Sequence, residues 1–176
     1  MIFDSDILIA VVILIVGMGY FTLSMVEHTE SYVDVVGLNI LYDRAGDQLK
    51  SIVSDGTLES AILLINSGYE SMAEEVLKNR ITLENYRLSI GGYTISEGHL
   101  VGDKVVVSTV VVMNRTEGWY GIYGNNTTLH ITDRHFLSED EVYKYLNNCY
   151  KNYSHKRAIY YSNSIGSTEV TLIYGG

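Results

Sequence analysis

Twenty consecutive positions without a charge, Ile7 to Val26, constrain this chain more than any other feature (ILIAVVILIVGMGYFTLSMV). Wound as an α-helix at about 1.5 Å per residue, the run reaches about 30 Å, the thickness of a bilayer's hydrocarbon core. Asp4, Ser5 and Asp6 stand just before it, where a capping oxygen and negative charge both favour a helix start. A cleaved secretory signal would instead carry a basic leader and an apolar core of about 7 to 15 residues. The expectation is therefore a transmembrane helix over residues 1–26 and an extracytoplasmic domain over 27–176. The first Lys or Arg is Arg44, so charge flanking the run says little about orientation. The side of the domain rests on composition and on four Asn-x-Ser/Thr sequons, at Asn114, Asn125, Asn126 and Asn152, which are candidate N-glycosylation sites.

Beyond Val26 the apolar residues Val33, Val36, Ile40, Leu41, Ala45, Leu49, Ile52 and Val53 recur at helical steps, while Glu30, Asp34, Asp43, Asp47 and Lys50 take the other side. This predicts that the helix continues to about Ser54 and stops at Asp55-Gly56, its amphipathic half packing on the domain. The chain has no proline to break it. Helices are expected at Leu58 to Asn66, closed by Ser67-Gly68, and at Met72 to Asn79, opened by the capping box Ser71 to Glu74. Helices thus run to about residue 80, and strands dominate after 83. Tyr86 to Ile90 and Tyr93 to Ile95 flank Gly91-Gly92, Lys104 to Met113 is a β-branched run, and Thr127 to Thr132 alternates after the turn-like Gly121 to Asn126. A second capping box, Ser138 to Glu141, opens a helix to about Tyr150, and Ala158 to Ser162 with Glu169 to Tyr174 reads as a terminal hairpin. The fold class is α+β: a long N-terminal helix, transmembrane then amphipathic, packed on a C-terminal antiparallel β-rich domain.

A net charge of −9 repels nucleic acid and anionic headgroups, so neither is expected as a main partner. Lys151, Lys156 and Arg157 form the one basic cluster, read as a solvated face. Cys149 has no second cysteine to pair with and reads as a small buried hydrophobe. No metal site is expected, because His28, His99, His130, His135 and His155 lack ligand spacing, although His130 and His135 could converge across a strand end. Neither a phosphate-binding glycine loop nor a nucleophile elbow occurs, so no cofactor, small-molecule substrate or catalytic residue is assigned. The residue choice that stands out is tyrosine: of fifteen, nine lie at or beyond Tyr120. Tyrosine buries a ring and keeps a wet hydroxyl, so Trp119, Tyr120 and Tyr123 are the candidate interaction surface, set against the alternative of an amphipathic sheet wall.

An uncharged helical start, its amphipathic continuation and a β-rich C-terminal half together resemble archaeal type IV pilin-like proteins, of the minor pilin or pseudopilin class. In that family the apolar segment sits in the membrane before assembly and then bundles in the filament core, with sugar-bearing domains outside. The resemblance makes Ile7, Val12, Ile13, Ile15, Gly17, Gly19 and Phe21 the membrane and assembly helix, the two glycines permitting close approach. It implies a non-catalytic subunit of a cell-surface filament or its assembly apparatus, partnered by the membrane and by other pilin-like subunits. The competing expectation is a single-pass envelope protein whose external domain binds a ligand or partner. In both, the protein sits in the cell membrane with its domain outside.

Overall fold

Asp55 and Gly56 end the first helix by two separate means. Gly56 takes a left-handed φ of 79°, which costs a residue without Cβ nothing. Asp55 accepts from the Thr57 amide at 2.9 Å and so opens the next helix. The computed structural model describes residues 3–162 and 166–175, and for residues 3–12 and 27–34 only the backbone. Its helices are α1 (Phe3–Ser54), α2 (Thr57–Asn66), α3 (Glu70–Arg80) and α4 (Glu139–Cys149). The strands are β1 (Tyr86–Ile90), β2 (Tyr93–Glu97), β3 (Lys104–Val112), β4 (Gly118–Gly124), β5 (Leu129–Ile131), β6 (His155–Tyr161) and β7 (Ser167–Gly175).

The chain divides into two units, Met1–Ile40 and Leu41–Gly176. In the first, the described side chains from Ile13 to Val26 are exposed. Among the described residues no helix is long and apolar enough to cross a membrane. The expected transmembrane helix and the single-pass membrane placement are corrected on that finding. So are the two functions built on them, the anchored filament subunit and the anchored envelope protein, together with the pilus and cell-surface terms that went with them. The expected amphipathic packing is corrected too: the residues of α1 that enter the core are Ala45, Leu49 and Ile52, whereas Val36, Ile40 and Val53 are exposed.

The second unit is α+β with two antiparallel sheets. One has the order β2-β1-β7-β3 and the other β5-β4-β6. Leu58, Ile62, Leu63 and Leu64 of α2, Ala73, Val76 and Leu77 of α3, Leu88, Val170 and Leu172 of the larger sheet, and Ile122 and Ile159 of the smaller one share a single buried cluster. Each fully buried aliphatic side chain there stabilises the fold by about 1.5–3 kcal/mol. A second cluster, Phe136, Val142, Leu146 and Ala158, lies between the smaller sheet and α4.

Three local expectations change. Helix α3 starts at Glu70 after Tyr69, with no side-chain cap, because Glu74 is engaged elsewhere: it accepts from Lys78 at 2.7 Å and from the Tyr93 hydroxyl at 2.8 Å. Gly121 to Gly124, expected as a turn, lies inside β4, and the turn is confined to Asn125–Thr128, where Asn125 accepts from the Thr127 and Thr128 amides. The last two strands form no hairpin with each other. Strand β6 pairs with β4, whereas β7 inserts between β1 and β3.

Candidate functional site

The alternation of β4 decides which of the expected aromatic residues reach the surface. Tyr120 and Ile122 point into the main core, and Tyr120, only 4 % exposed, is removed from the interaction surface by that direction. Trp119 and Tyr123 point the other way, toward α4. Gly121 lies between them and has no side chain, so Leu146 of α4 can seat on the strand; a Cβ there would come within 2.9 Å of the Leu146 side chain. The helix is held from both ends of its first turn. Ser138 accepts from the Glu141 amide, and the Glu141 carboxylate accepts from the Leu137 amide at 3.2 Å.

A strip of rings follows. Tyr123 is stacked on Tyr150 at 3.7 Å between centroids, with His130 on its flank at 5.6 Å and Tyr153 edge-on at 5.2 Å. Tyr145 meets Tyr150 edge-on at 5.8 Å and touches Phe136 at 5.2 Å. The Arg134 guanidinium lies over both Tyr145 (4.5 Å) and Phe136 (4.9 Å). Its backbone is fixed from beneath: buried Thr132 donates its hydroxyl to the Arg134 carbonyl at 3.0 Å and accepts from the Gly121 amide at 3.0 Å. The strip ends at a groove of about 440 Å³ lined by Arg134, His135, Phe136, Glu141, Lys144 and Tyr145, among others.

Electrostatics in the strip follow from contacts among its own hydroxyls. Tyr150 titrates above the usual tyrosine range, mainly through its hydrogen bond to Tyr123, and Tyr145 does so mainly through its hydrogen bond to Tyr150. The Tyr145 and Tyr150 rings are therefore neutral, hydroxyl-bearing walls at any physiological pH. Arg134 and Lys144 have no carboxylate partner among the described residues, so the groove carries positive charge on a chain of net −9.

The other expected residues are scattered. Ile13, Ile15 and Phe21 are exposed, a Cβ added at Gly17 or Gly19 meets nothing within 4 Å, and the side chains of Ile7 and Val12 lie outside the described residues. Asn114, Asn125, Asn126 and Asn152 are all exposed, with Asn126 accepting from Ser154 and sharing a hydrogen bond with the His155 ring. Cys149, expected buried, is exposed at the end of α4, because the apolar side of that helix is taken by Val142 and Leu146. His130 and His135 do not converge: one packs on Tyr123, the other on Tyr120. Among the described residues no cluster of His, Cys, Asp and Glu could hold a metal ion. Sequence reasoning missed Arg134, Tyr145 and Tyr150. The signal for the latter two was the spacing of Tyr143, Tyr145, Tyr150 and Tyr153, but helix and loop geometry had to bring the rings to Tyr123.

These features define an α+β protein whose smaller sheet carries an aromatic groove. The chain is 36 % identical over 175 residues to an uncharacterized protein, MJ1471, of Methanocaldococcus jannaschii, a match covering 98 % of this chain and 97 % of that protein. It belongs to the same family as that protein. No family model matches the chain, and no solved structure matches it.

Proposed function

We propose that this is a non-catalytic binding protein that takes an extended, acidic segment of a partner protein into the groove beside α4. The observation that carries this reading is the strip of rings from His130 to Phe136, ending under an Arg134 whose charge no carboxylate among the described residues meets. Rigid tyrosine rings give contact area at small entropic cost, and their hydroxyls give a main chain something to bond. A carboxylate on the ligand would meet Arg134 and Lys144, and an apolar side chain beside it would lie on Tyr145.

Panning a displayed library of unstructured decapeptides against the full chain tests this. Sequences with Asp or Glu next to an aliphatic or aromatic residue are expected. Arg134→Ala and Tyr145→Ala should each weaken the selected peptides by about ten- to a hundredfold, as central interface residues do. No enrichment, or peptides bound equally by both variants, would overturn the reading.

A further inference from the structure

Each sheet has two edges, and an edge strand offers unpaired backbone groups to any other strand. Three of the four edges are blunted. Strand β5 has three residues, β2 has five and ends at exposed Glu97, and β6 begins His155-Lys156-Arg157. Strand β3 differs in every respect. It has nine residues, pairs one-to-one with β7 from Lys104 to Val112 without a bulge, and is followed by no charge from Val105 to Asn114. Among the described residues no strand pairs with its other side. Its outward side chains are Val106 at 56 %, Val110 at 60 % and Val112 at 69 % exposure, with exposed Ser108 among them.

We infer that β3 is the pairing edge of a symmetric homodimer, in which two copies join β3 to β3, antiparallel and centred on Ser108. The sequence of the strand, KVVVSTVVV, names the second copy as the occupant, because about Ser108 it is close to its own mirror image. Val105 answers Val111, Val106 answers Val110, and Val107 answers Thr109. A two-fold antiparallel pairing therefore sets Val106 opposite Val110 of the partner subunit on the outer face, and valine opposite valine or threonine on the inner one. Cross-strand β-branched pairs of this kind favour the pairing.

The register has its own marker. Ser108 shares a hydrogen bond with Thr171 of β7 at 2.9 Å, Thr171 stands opposite Ser89 of β1, and Ser89 contacts Thr94 of β2 at 3.5 Å. This row of hydroxyls crosses the whole sheet. Centred pairing continues it, Ser108 meeting Ser108 of the partner subunit. A slip of two residues would set that hydroxyl against valine, and a slip of one would turn the faces inside out. Charge agrees with the seam. Glu169, one strand in, lies in the row of Val110, which runs on across the seam to Val106 and then Ile173 of the partner subunit, so no acid faces an acid.

Site-directed cross-linking of the full chain tests the inference, with Cys149→Ser in every variant so that the exposed native thiol takes no part. Directly opposed residues stand about 4.5–5.5 Å apart between Cα atoms, within reach of a disulfide. Ser108→Cys should therefore form a disulfide-linked dimer under mild oxidation. Val106→Cys, about 13 Å from its own equivalent, should do so at least about tenfold more slowly. Val106→Lys with Val110→Lys, which brings like charges together at an exposed face, should abolish the Ser108→Cys cross-link while leaving the circular dichroism unchanged. Equal cross-linking of Ser108→Cys and Val106→Cys, no cross-link from either, or a cross-link that survives the two lysines would each overturn it.

Discussion

The four-stranded sheet and the three-stranded sheet share one core, and they differ in what becomes of the face turned away from it. The outer face of β5-β4-β6 is covered by α4 and by rings: Leu146 over Gly121, Tyr150 on Tyr123, Arg134 over Tyr145. The outer face of β2-β1-β7-β3 is left open and is built mostly of short side chains, Ser, Thr and Val, with Arg87, Lys104 and Glu169 as its charges. A face covered by the chain's own helix can expose aromatic groups at its rim and remain one molecule. An open face of small residues ending in an unguarded edge has no such cover, and in the proposed dimer a second copy of the same edge continues the sheet. One sheet is organised to hold a segment, the other to extend itself.

If the smaller sheet depends on α4 as argued, truncating its contact should have the largest effect. Leu146→Ala removes a fully buried side chain shared by α4 and β4 and is expected to cost about 3 kcal/mol. Urea denaturation measures the loss, and hydrogen exchange should show it concentrated in α4 and β4. Uniform loss across both sheets would break the comparison.

Alkaline pH separates the sheets at intermediate scale. Buried Tyr86 on β1 stands opposite Glu97, and burial followed by that carboxylate raises its titration well above the usual range. A folded-state value raised above the unfolded one, about 10, gives stability that is fully present below pH 10 and is lost as pH rises through the folded value. Tyr86→Phe should change neutral-pH stability by less than about 1 kcal/mol and flatten the loss of stability above pH 10. Thermal unfolding between pH 8 and 11 checks both. Tyr150 and Tyr145, held up by their neighbours in the aromatic strip, contribute in the same direction, so some alkaline loss should remain.

The smallest effect belongs to the open face. Val110→Thr keeps the β-branch and changes an exposed methyl to a hydroxyl, so the subunit's own stability should move by no more than about 0.5 kcal/mol. Chemical denaturation at low protein concentration measures it; a larger loss would mean that this face is covered within the subunit.

Local chemistry determined much of this protein before any tertiary contact was known. The stop at Asp55-Gly56, the hairpin across Gly91-Gly92, the β-branched run of β3 and the Ser138 capping box are each set by backbone freedom or by a hydrogen bond three or four residues away, and each stands where its residues place it. Register, partner choice and side of burial were decided only by the tertiary structure. Tyr120 and Tyr123 are the same residue type on one strand, and a period of two sends one to the core and the other to α4, with nothing local to say which. Strands β6 and β7 adjoin in sequence, yet they serve different sheets, because the hydrophobic pattern of each fits more than one neighbour and the global packing selects among them. Hydropathy counted the apolar residues of the first helix, but it could not say which would find a partner. Ala45, Leu49 and Ile52 did, because α2, α3 and the sheets close around that end of the helix.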